Sequence, residues 1–280
     1  MFIRCWGSRG GLPVSGPDFI RYGGDTTCIE VRSDNKDTVI IDAGTGIRNL
    51  GNSLNGDHNI RNLNLLFTHA HLDHIMGFPF FAPIYSEQTE LSIFGSPCKN
   101  GPFETVLKEI MRNPYFPVDF DTIPSKVTFQ DLSKDPFHIG SLKIIPIMLN
   151  HPNGGNGFRI EENNTSFVFL TDNELEDEQE DSRPTEYYQQ FCKDADLLFH
   201  DAEFTEEEYP RFTAWGHSKY TDAAELAIQS KVSRFGLFHL NNRRTDDQMD
   251  ELVKCAQDLI RSRGADTVCF GVRSNFQISL

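Results

Sequence analysis

A seven-residue segment, Thr68-His69-Ala70-His71-Leu72-Asp73-His74, carries three imidazoles and a carboxylate directly after an apolar run. Imidazole and carboxylate donors together suit zinc, iron and similar cations, so this concentration of them indicates a metal site. Alternate side chains of an extended loop point the same way, so His69 and His71 can bind one ion together. Asp73 and His74 can reach the same ion or a second one. No cysteine adjoins the segment, and such sets are usual in open catalytic sites. The segment therefore predicts a metal-dependent hydrolase.

Further ligands must come from elsewhere in the chain. Asp172, His200 and His239 each follow an apolar run by a residue or two, and His151 follows another run in a glycine-rich turn. Because ligands of α/β folds gather where strands end, these positions could converge on one cleft. A lone loop histidine is normally exposed, and Asp172 could instead cap a turn. Spacing alone leaves these roles open.

Short apolar runs alternate along the chain with amphipathic segments. The predicted strands are 26–32, 38–42, 63–67, 142–148, 166–170, 195–199, 232–239 and 267–270. The predicted helices are 47–54, 103–112, 185–193, 221–230 (with Ser218 or Thr221 as its cap) and 245–262. This alternation is typical of a layered α/β protein. Neither an internal repeat nor a long linker divides the chain, so residues 1–280 are predicted to form a single domain.

Composition limits the classes of partner. The chain has 41 acidic against 26 basic residues and a formal net charge of −15, without a Lys/Arg-rich block. Large nucleic acids are normally bound by basic surfaces, so none is expected as a partner. Neither an apolar run of roughly 20 residues nor a signal peptide is visible, so no membrane partner is expected either. Six widely spaced cysteines without a CxxC pair indicate reduced thiols in a cytoplasmic protein. The acidic run 174–181 is predicted to be a solvated loop.

The chain resembles metallo-β-lactamase-fold hydrolases, specifically the branch of ribonuclease Z and the cyclic-nucleotide phosphodiesterases. Residues 68–74 match the HxHxDH signature of that family, which is highly specific. Residues 7–13 resemble its N-terminal glycine turn, 41–46 its second strand and turn, 198–203 its HEAT-type segment and 215–218 its Gly-His-Ser segment. The resemblance covers nearly the whole chain. It implies a four-layer αββα sandwich of two mixed β-sheets flanked by helices, with the site at one edge.

The resemblance also implies two divalent metal ions. One would be held by His69, His71 and His151, the other by Asp73, His74 and His239, with Asp172 bridging them. Zinc is the usual metal, and manganese and iron suit the same ligands.

Hydrolysis of a phosphodiester follows from such a pair of cations. They lower the pKa of a shared water and withdraw charge from phosphoryl oxygens as the transition state forms. The leaving oxygen needs a proton, and His217 is the expected general acid, joined by Asp73 as the second catalytic residue. Asp201 or Glu203 would orient His217, and Asp42 would support the ligand loop.

A small phosphodiester, such as a 3′,5′- or 2′,3′-cyclic nucleotide, is the expected substrate. The acidic surface and the lack of a Gly- and Lys-rich arm disfavour a ribonuclease Z-type RNA endonuclease. An acyl or thioester hydrolase on the same metals is an alternative, and a catalytically silent interaction protein is a third. Tyr115 and Phe116 are predicted to be lid residues, and Phe78, Phe80 and Phe81 to be core. Relatives in this branch are often homodimers, so a homodimer is compatible with the resemblance.

Overall fold

The structure is a computed structural model that describes residues 1–54, 62–98, 101–132, 134–177 and 179–280. In chain order its strands are β1 (Phe2–Gly7), β2 (Cys28–Arg32), β3 (Thr38–Ile41), β4 (Asn62–Leu66), β5 (Glu90–Gly95), β6 (Lys126–Asp131), β7 (Phe137–Ile139), β8 (Leu142–Met148), β9 (Asn156–Glu162), β10 (Thr165–Leu170), β11 (Leu197–Asp201), β12 (Arg234–Phe238), β13 (Val268–Gly271) and β14 (Gln277–Ser279). The α-helices are α1 (Ile47–Leu54), α2 (Leu72–Ile75), α3 (Phe103–Ile110), α4 (Thr185–Cys192), α5 (Tyr220–Gln229) and α6 (Asp246–Ser262). Short 3-10 helices lie at Pro17–Phe19, Phe78–Phe80, Ala82–Tyr85, Phe120–Thr122 and Tyr209–Arg211.

The strands form two seven-stranded mixed sheets, with the orders β14-β1-β2-β3-β4-β5-β6 and β13-β12-β11-β10-β9-β8-β7. In the first sheet β3, β4, β5 and β6 run parallel, and the remaining pairs are antiparallel. In the second sheet β10 to β13 run parallel, and β7 to β10 pair antiparallel. Parallel strands end at the same edge of a sheet. Each sheet therefore presents a row of strand ends at which the polar side chains described below are placed.

Three apolar layers hold the sheets and helices together. Between the sheets, buried side chains from both inner faces interdigitate, among them Val31 and Val39 of the first sheet and Phe167 and Phe199 of the second. The outer face of the first sheet packs against α1 and α3, and that of the second against α4, α5 and α6. This is the predicted αββα sandwich, which is confirmed. Within the described residues, no helix is both long and apolar enough to cross a membrane.

Every strand and helix predicted from the sequence is present, with ends shifted by at most two residues. The expected cap of the helix after His217 was wrong. Lys219 occupies the N-cap position of α5 without a side-chain bond, because the Ser218 hydroxyl donates to the Asn173 carbonyl instead (2.6 Å) and the Thr221 hydroxyl donates to Glu206.

Candidate metal centre

Non-glycine residues in the left-handed backbone region follow three strands whose ends lie near the segment 68–74. Asp42 follows β3 with φ 61°, Asp172 lies two residues after β10 with φ 52°, and His239 follows β12 with φ 53°. Residues that have a Cβ seldom adopt this backbone conformation, and the strain that it causes is concentrated at functional sites. All three side chains are buried and turn towards the segment 68–74.

Asp42 holds the segment 68–74 in place through three hydrogen bonds. One carboxylate oxygen accepts from the backbone N–H of Thr68 (2.8 Å), and the other accepts from the Thr68 hydroxyl (2.7 Å) and from Nδ1 of His74 (2.8 Å). The Asp42 side chain is fully buried. These contacts agree with the supporting role expected for Asp42.

His69, His71, His151 and Asp172 form a first cluster, with one potential ligand atom from each within 4.8 Å of the others. Nε2 of His151 lies 3.0 Å from Nδ1 of His71. Oδ1 of Asp172 lies 3.7 Å from Nε2 of His69 and 3.9 Å from Nε2 of His151. Residues as much as 103 positions apart along the chain (172 − 69) thus meet at one point.

Asp73, His74 and His239 form a second cluster beside the first. Oδ2 of Asp73 lies 3.4 Å from Nε2 of His74 and 3.4 Å from Nε2 of His239. Asp172 also reaches this cluster, with Oδ2 3.2 Å from Nε2 of His74 and Oδ1 3.3 Å from Nε2 of His239. The seven predicted side chains therefore come together, in the two groups that the resemblance implies and with Asp172 between them.

Hydrogen bonds orient four of the five histidines through Nδ1. Acceptors for these Nδ1–H groups are the Thr68 hydroxyl for His69 (3.0 Å), Asp42 for His74 (2.8 Å), the Gly216 carbonyl for His151 (3.1 Å) and Glu203 for His239 (3.0 Å). An imidazole that donates through Nδ1 offers the lone pair of Nε2, and such partners commonly orient metal-binding histidines. His71 differs, because it turns Nδ1 to the first cluster.

Two further observations, the unpartnered nitrogens and the shifted pKa values, indicate that these donors suit divalent cations. Within the described part of the chain, Nε2 of His69 and Nε2 of His74 are buried without a hydrogen-bond partner, and buried polar atoms normally have one. Burial lowers the pKa of His74, but Asp172, Asp73 and Asp42 together raise it well above its usual value. The three carboxylates thus favour a positive charge at this point, which a bound cation would supply in place of the proton. His239 behaves likewise, since Asp172 and Asp73 outweigh its burial. Burial lowers the pKa of His151 to about 4, which keeps its nitrogen available as a ligand.

Two glycines lie so close to clustered histidines that a larger residue would not fit. A Cβ on Gly10 would meet the His239 ring at 2.2 Å, and one on Gly216 would meet Nδ1 of His151 at 2.0 Å. The Gly11 N–H donates to Oδ2 of Asp73 (2.7 Å). The N-terminal glycine turn singled out in the sequence therefore packs directly against two of the clustered side chains.

His217 lies at the edge of the second cluster, with its ring stacked on that of His239 at 4.6 Å. Its Nδ1 donates to Oδ2 of Asp201 (2.7 Å), and Glu203 lies 3.5 Å from the same nitrogen. Burial lowers the pKa of His217, but Asp201 and Glu203 raise it to about 9. These two carboxylates therefore favour the protonated imidazole, and no described residue accepts a hydrogen bond from its Nε2.

One residue of the site escaped the sequence analysis. Glu174, the first residue of the acidic run predicted to be solvated, is fully buried. Its carboxylate accepts from the Tyr209 hydroxyl (2.6 Å) and from the backbone N–H groups of Ala214 (2.8 Å) and Gly216 (2.7 Å). Residue 178 of the run lies outside the described residues. The only sequence signal for Glu174 was its position two residues after Asp172, at the end of a buried strand.

Three other expectations need correction. His200 lies within β11 rather than after it, and it contacts Asn173 and the backbone of Asp201 instead of the clusters. Phe78 and Phe81 are core as predicted, but Phe80 is 56% exposed. Neither Tyr115 nor Phe116 is among the described residues that line the cavity over the clusters, whereas Trp215 is.

Comparison with known proteins identifies the family. The family model described as β-lactamase superfamily domain matches residues 37–240, well over half of the chain. A ribonuclease Z of Metallosphaera sedula is 25% identical over 264 residues, covering 79% of this chain and 84% of that protein. A ribonuclease Z of Haloarcula marismortui is 41% identical over 78 residues, but this match covers only 28% of the chain and 25% of the relative.

Solved structures show the same fold at low identity. The metallo-β-lactamase-fold protein YhfI of Bacillus subtilis superimposes with a TM-score of 0.71 at 17% identity, over 99% of this chain and 98% of that one. A diphosphatase of the PhnP family gives a TM-score of 0.69 at 18% identity, over 100% of this chain and 97% of that one. The chain therefore belongs to the β-lactamase superfamily and has the metallo-β-lactamase fold.

Proposed function

We propose that this protein is a phosphodiesterase for a small substrate such as a cyclic nucleotide. In this proposal two divalent cations, zinc being the expected metal, are held by His69, His71, Asp73, His74, His151, Asp172 and His239. Bound there, the cations would supply Lewis acidity, lowering the pKa of water and drawing charge from the phosphoryl group. The donor set of imidazoles and carboxylates without thiolate supports zinc in an open site.

The observation that carries the proposal is the place of His217. The imidazole of His217, stacked on His239 and hydrogen-bonded to Asp201, lines the same cavity as the clusters. In hydrolysis a bond from water to phosphorus forms and the bond to the leaving oxygen breaks. The leaving alkoxide must gain a proton, and His217 is placed to give it, while Asp201 stabilises the imidazolium. An acyl hydrolase that expels a thiolate has less need of such an acid.

A panel of substrates tests the proposal. The purified protein is loaded with zinc or manganese and offered bis(p-nitrophenyl) phosphate and 3′,5′- and 2′,3′-cyclic nucleotides. We expect hydrolysis of at least one of them, abolished by a chelator and restored by metal. If none is hydrolysed, the proposal is wrong. Faster hydrolysis of a thioester than of any phosphodiester would favour the acyl or thioester hydrolase instead.

A ribonuclease Z-type endonuclease is the second candidate, supported by the name of the Metallosphaera sedula relative and its coverage. The net charge of −15 opposes it, because a long polyanion is repelled by an acidic surface. Cleavage of a precursor tRNA with a higher kcat/KM than any small phosphodiester would favour this candidate.

A further inference from the structure

The cavity over the clusters extends well beyond the metal centre. Its volume is about 680 Å³, which is ample for a substrate larger than one phosphodiester group. The residues that line it include His71 and the buried Asp172 of the clusters, together with the exposed residues Arg211, Trp215 and Arg243. We call these last three the rim. They are outside the set that the sequence predicted.

Aromatic contacts relate the rim to the reacting centre. The His217 ring lies 6.1 Å from that of Phe204, which stacks on Phe212 at 4.7 Å with an interplanar angle of 2°. Phe212 in turn meets Trp215 edge-on at 5.2 Å. Trp215 is thus two rings away from the proposed acid, yet 59% of its surface is exposed. An exposed indole on a cavity wall is a stacking surface for a planar group.

The rim arginines have no counter-ion of their own. Within the described residues, Arg211 and Arg243 take part in no ion pair, whereas their neighbour Arg244 is bound to Glu208 at 2.6 Å. A lone unpaired arginine on an open surface is ordinary. Two that line one cavity are different, because the same cavity is also lined by the carboxylates Asp73, Asp172, Glu203 and Glu208 and the chain has 15 more acidic than basic residues. Guanidinium groups left free in such a place suit a bidentate phosphate ligand.

We propose that the rim binds a second anionic group of the substrate, so that the substrate is a nucleotide phosphodiester carrying a terminal phosphate. This inference rests on the proposed function. A simple cyclic nucleotide carries a single negative charge, which the metal centre would meet. Arg211 and Arg243 would then have no anion to bind. In the proposed complex the two guanidiniums bind the terminal phosphate and a base stacks on Trp215. The substrate then fills the part of the cavity that lies beyond the metal centre.

Two dinucleotides that differ by one phosphate test the inference. The metal-loaded full chain is given adenylyl-adenosine and its 5′-phosphorylated form, with bis(p-nitrophenyl) phosphate as a third substrate. We expect kcat/KM to be at least about tenfold higher for the phosphorylated dinucleotide, as charge-assisted hydrogen bonds imply. Arg211→Ala and Arg243→Ala should each lower this ratio, and the double variant should bring it near one. Arg243→Lys should retain part of it.

Arg234 provides a matched control. It is an exposed arginine at the start of β12, the end of the strand opposite His239, and it does not line the cavity. Arg234→Ala should keep both the ratio and the rates of the wild type. An equal fall of the ratio in Arg234→Ala and Arg243→Ala would overturn the inference, because it would reflect overall charge.

Binding without turnover gives an independent readout. The chain has two tryptophans, and Trp6 is buried and donates to Glu30 (2.9 Å), so added ligand would quench mainly Trp215. In chelator-treated protein the phosphorylated dinucleotide should quench this fluorescence with a lower Kd than adenylyl-adenosine, and Trp215→Phe should abolish the quench.

The outcomes separate the two proposals. Equal kcat/KM for the two dinucleotides overturns the inference while the proposed function stands. If no phosphodiester is hydrolysed, the proposed function fails, and the fluorescence titration alone decides whether the rim binds a phosphate. A kcat/KM that keeps rising as nucleotides are added would overturn the small-substrate inference in favour of RNA.

Discussion

Nδ1 of His151 donates to the carbonyl oxygen of Gly216 across 3.1 Å, so the loop that carries His217 also orients a histidine of the candidate metal centre. Glu174 fixes that loop through the N–H groups of Ala214 and Gly216. One buried carboxylate therefore positions a proposed ligand and the proposed acid together.

Replacing Glu174 with glutamine should weaken metal binding. The new amide N–H would face a backbone N–H that has lost its acceptor, so the loop would shift and release His151. Changes to residues that orient ligands typically cost 10–100-fold in metal affinity or activity, roughly the loss expected here. A buried donor without a partner costs about 1–3 kcal/mol of stability, so the Tm of the metal-free protein should fall as well. Competition with a chelating dye measures the affinity.

Glu176→Gln is the control for this variant. Glu176 belongs to the same acidic run, but its side chain is 51% exposed and pairs with Lys219 at 2.8 Å. It should leave the metal affinity unchanged. Equal losses in the two variants would show that Glu174 acts only through the charge of the run.

His217→Ala should act according to the leaving group. With an alcohol leaving group the loss of a general acid should lower kcat by ~10²–10⁴-fold. With bis(p-nitrophenyl) phosphate the loss should be much smaller, because p-nitrophenolate departs without a proton. Asp201→Asn should show the same pattern more weakly, since it removes the charge that holds Nδ1. Equal losses on both substrates would contradict the role of His217 as an acid.

Asp222 should make stability depend on pH. It lies in the first turn of α5, 3.5 Å from Lys219. Burial raises its pKa from 3.8 to about 7, with Glu176 and Glu206 adding to the rise and Lys219 opposing it. Between these two pH values the folded chain holds a proton that the unfolded chain has lost, so the folded state gains stability as the pH falls and loses it as the pH rises to 7.

Asp222→Asn should remove that loss. At pH 8 its free energy of unfolding should exceed that of the wild type, by on the order of 1 kcal/mol once solvent screening is allowed for. The difference should shrink as the pH falls towards 4. Urea unfolding of both proteins at several pH values measures it, and a variant less stable than the wild type at pH 8 would contradict the expected sign.

The sequence predicted the fold through its most apolar elements. β8 and β10 are dense apolar runs, so their burial was visible in the residues themselves. β5 and β9 are two of the six strands that were not predicted, the others being β1, β6, β7 and β14. Each interrupts its apolar residues with polar or charged ones, such as Ser92 in β5 and Arg159 in β9, and their pairing with neighbouring strands decides their conformation.

The candidate site was also only partly predictable from the sequence. The segment 68–74 could be recognised because its metal-binding side chains are adjacent in the chain. The partners of His69 and His71 lie 80 or more residues away, and only the family resemblance joined them. Glu174 remained hidden, because an acid followed by more acids is ordinarily solvated. Its burial depends on backbone N–H groups some forty residues further on, which no local pattern records.

A crystal of the zinc-soaked protein, with anomalous data at the zinc edge, tests the central claim most directly. We predict two anomalous peaks. One should lie about 2.0–2.2 Å from nitrogens of His69, His71 and His151, the other at similar distances from Asp73, His74 and His239, with Asp172 within reach of both. Peaks elsewhere in the molecule, or no peak between these side chains, would contradict the account.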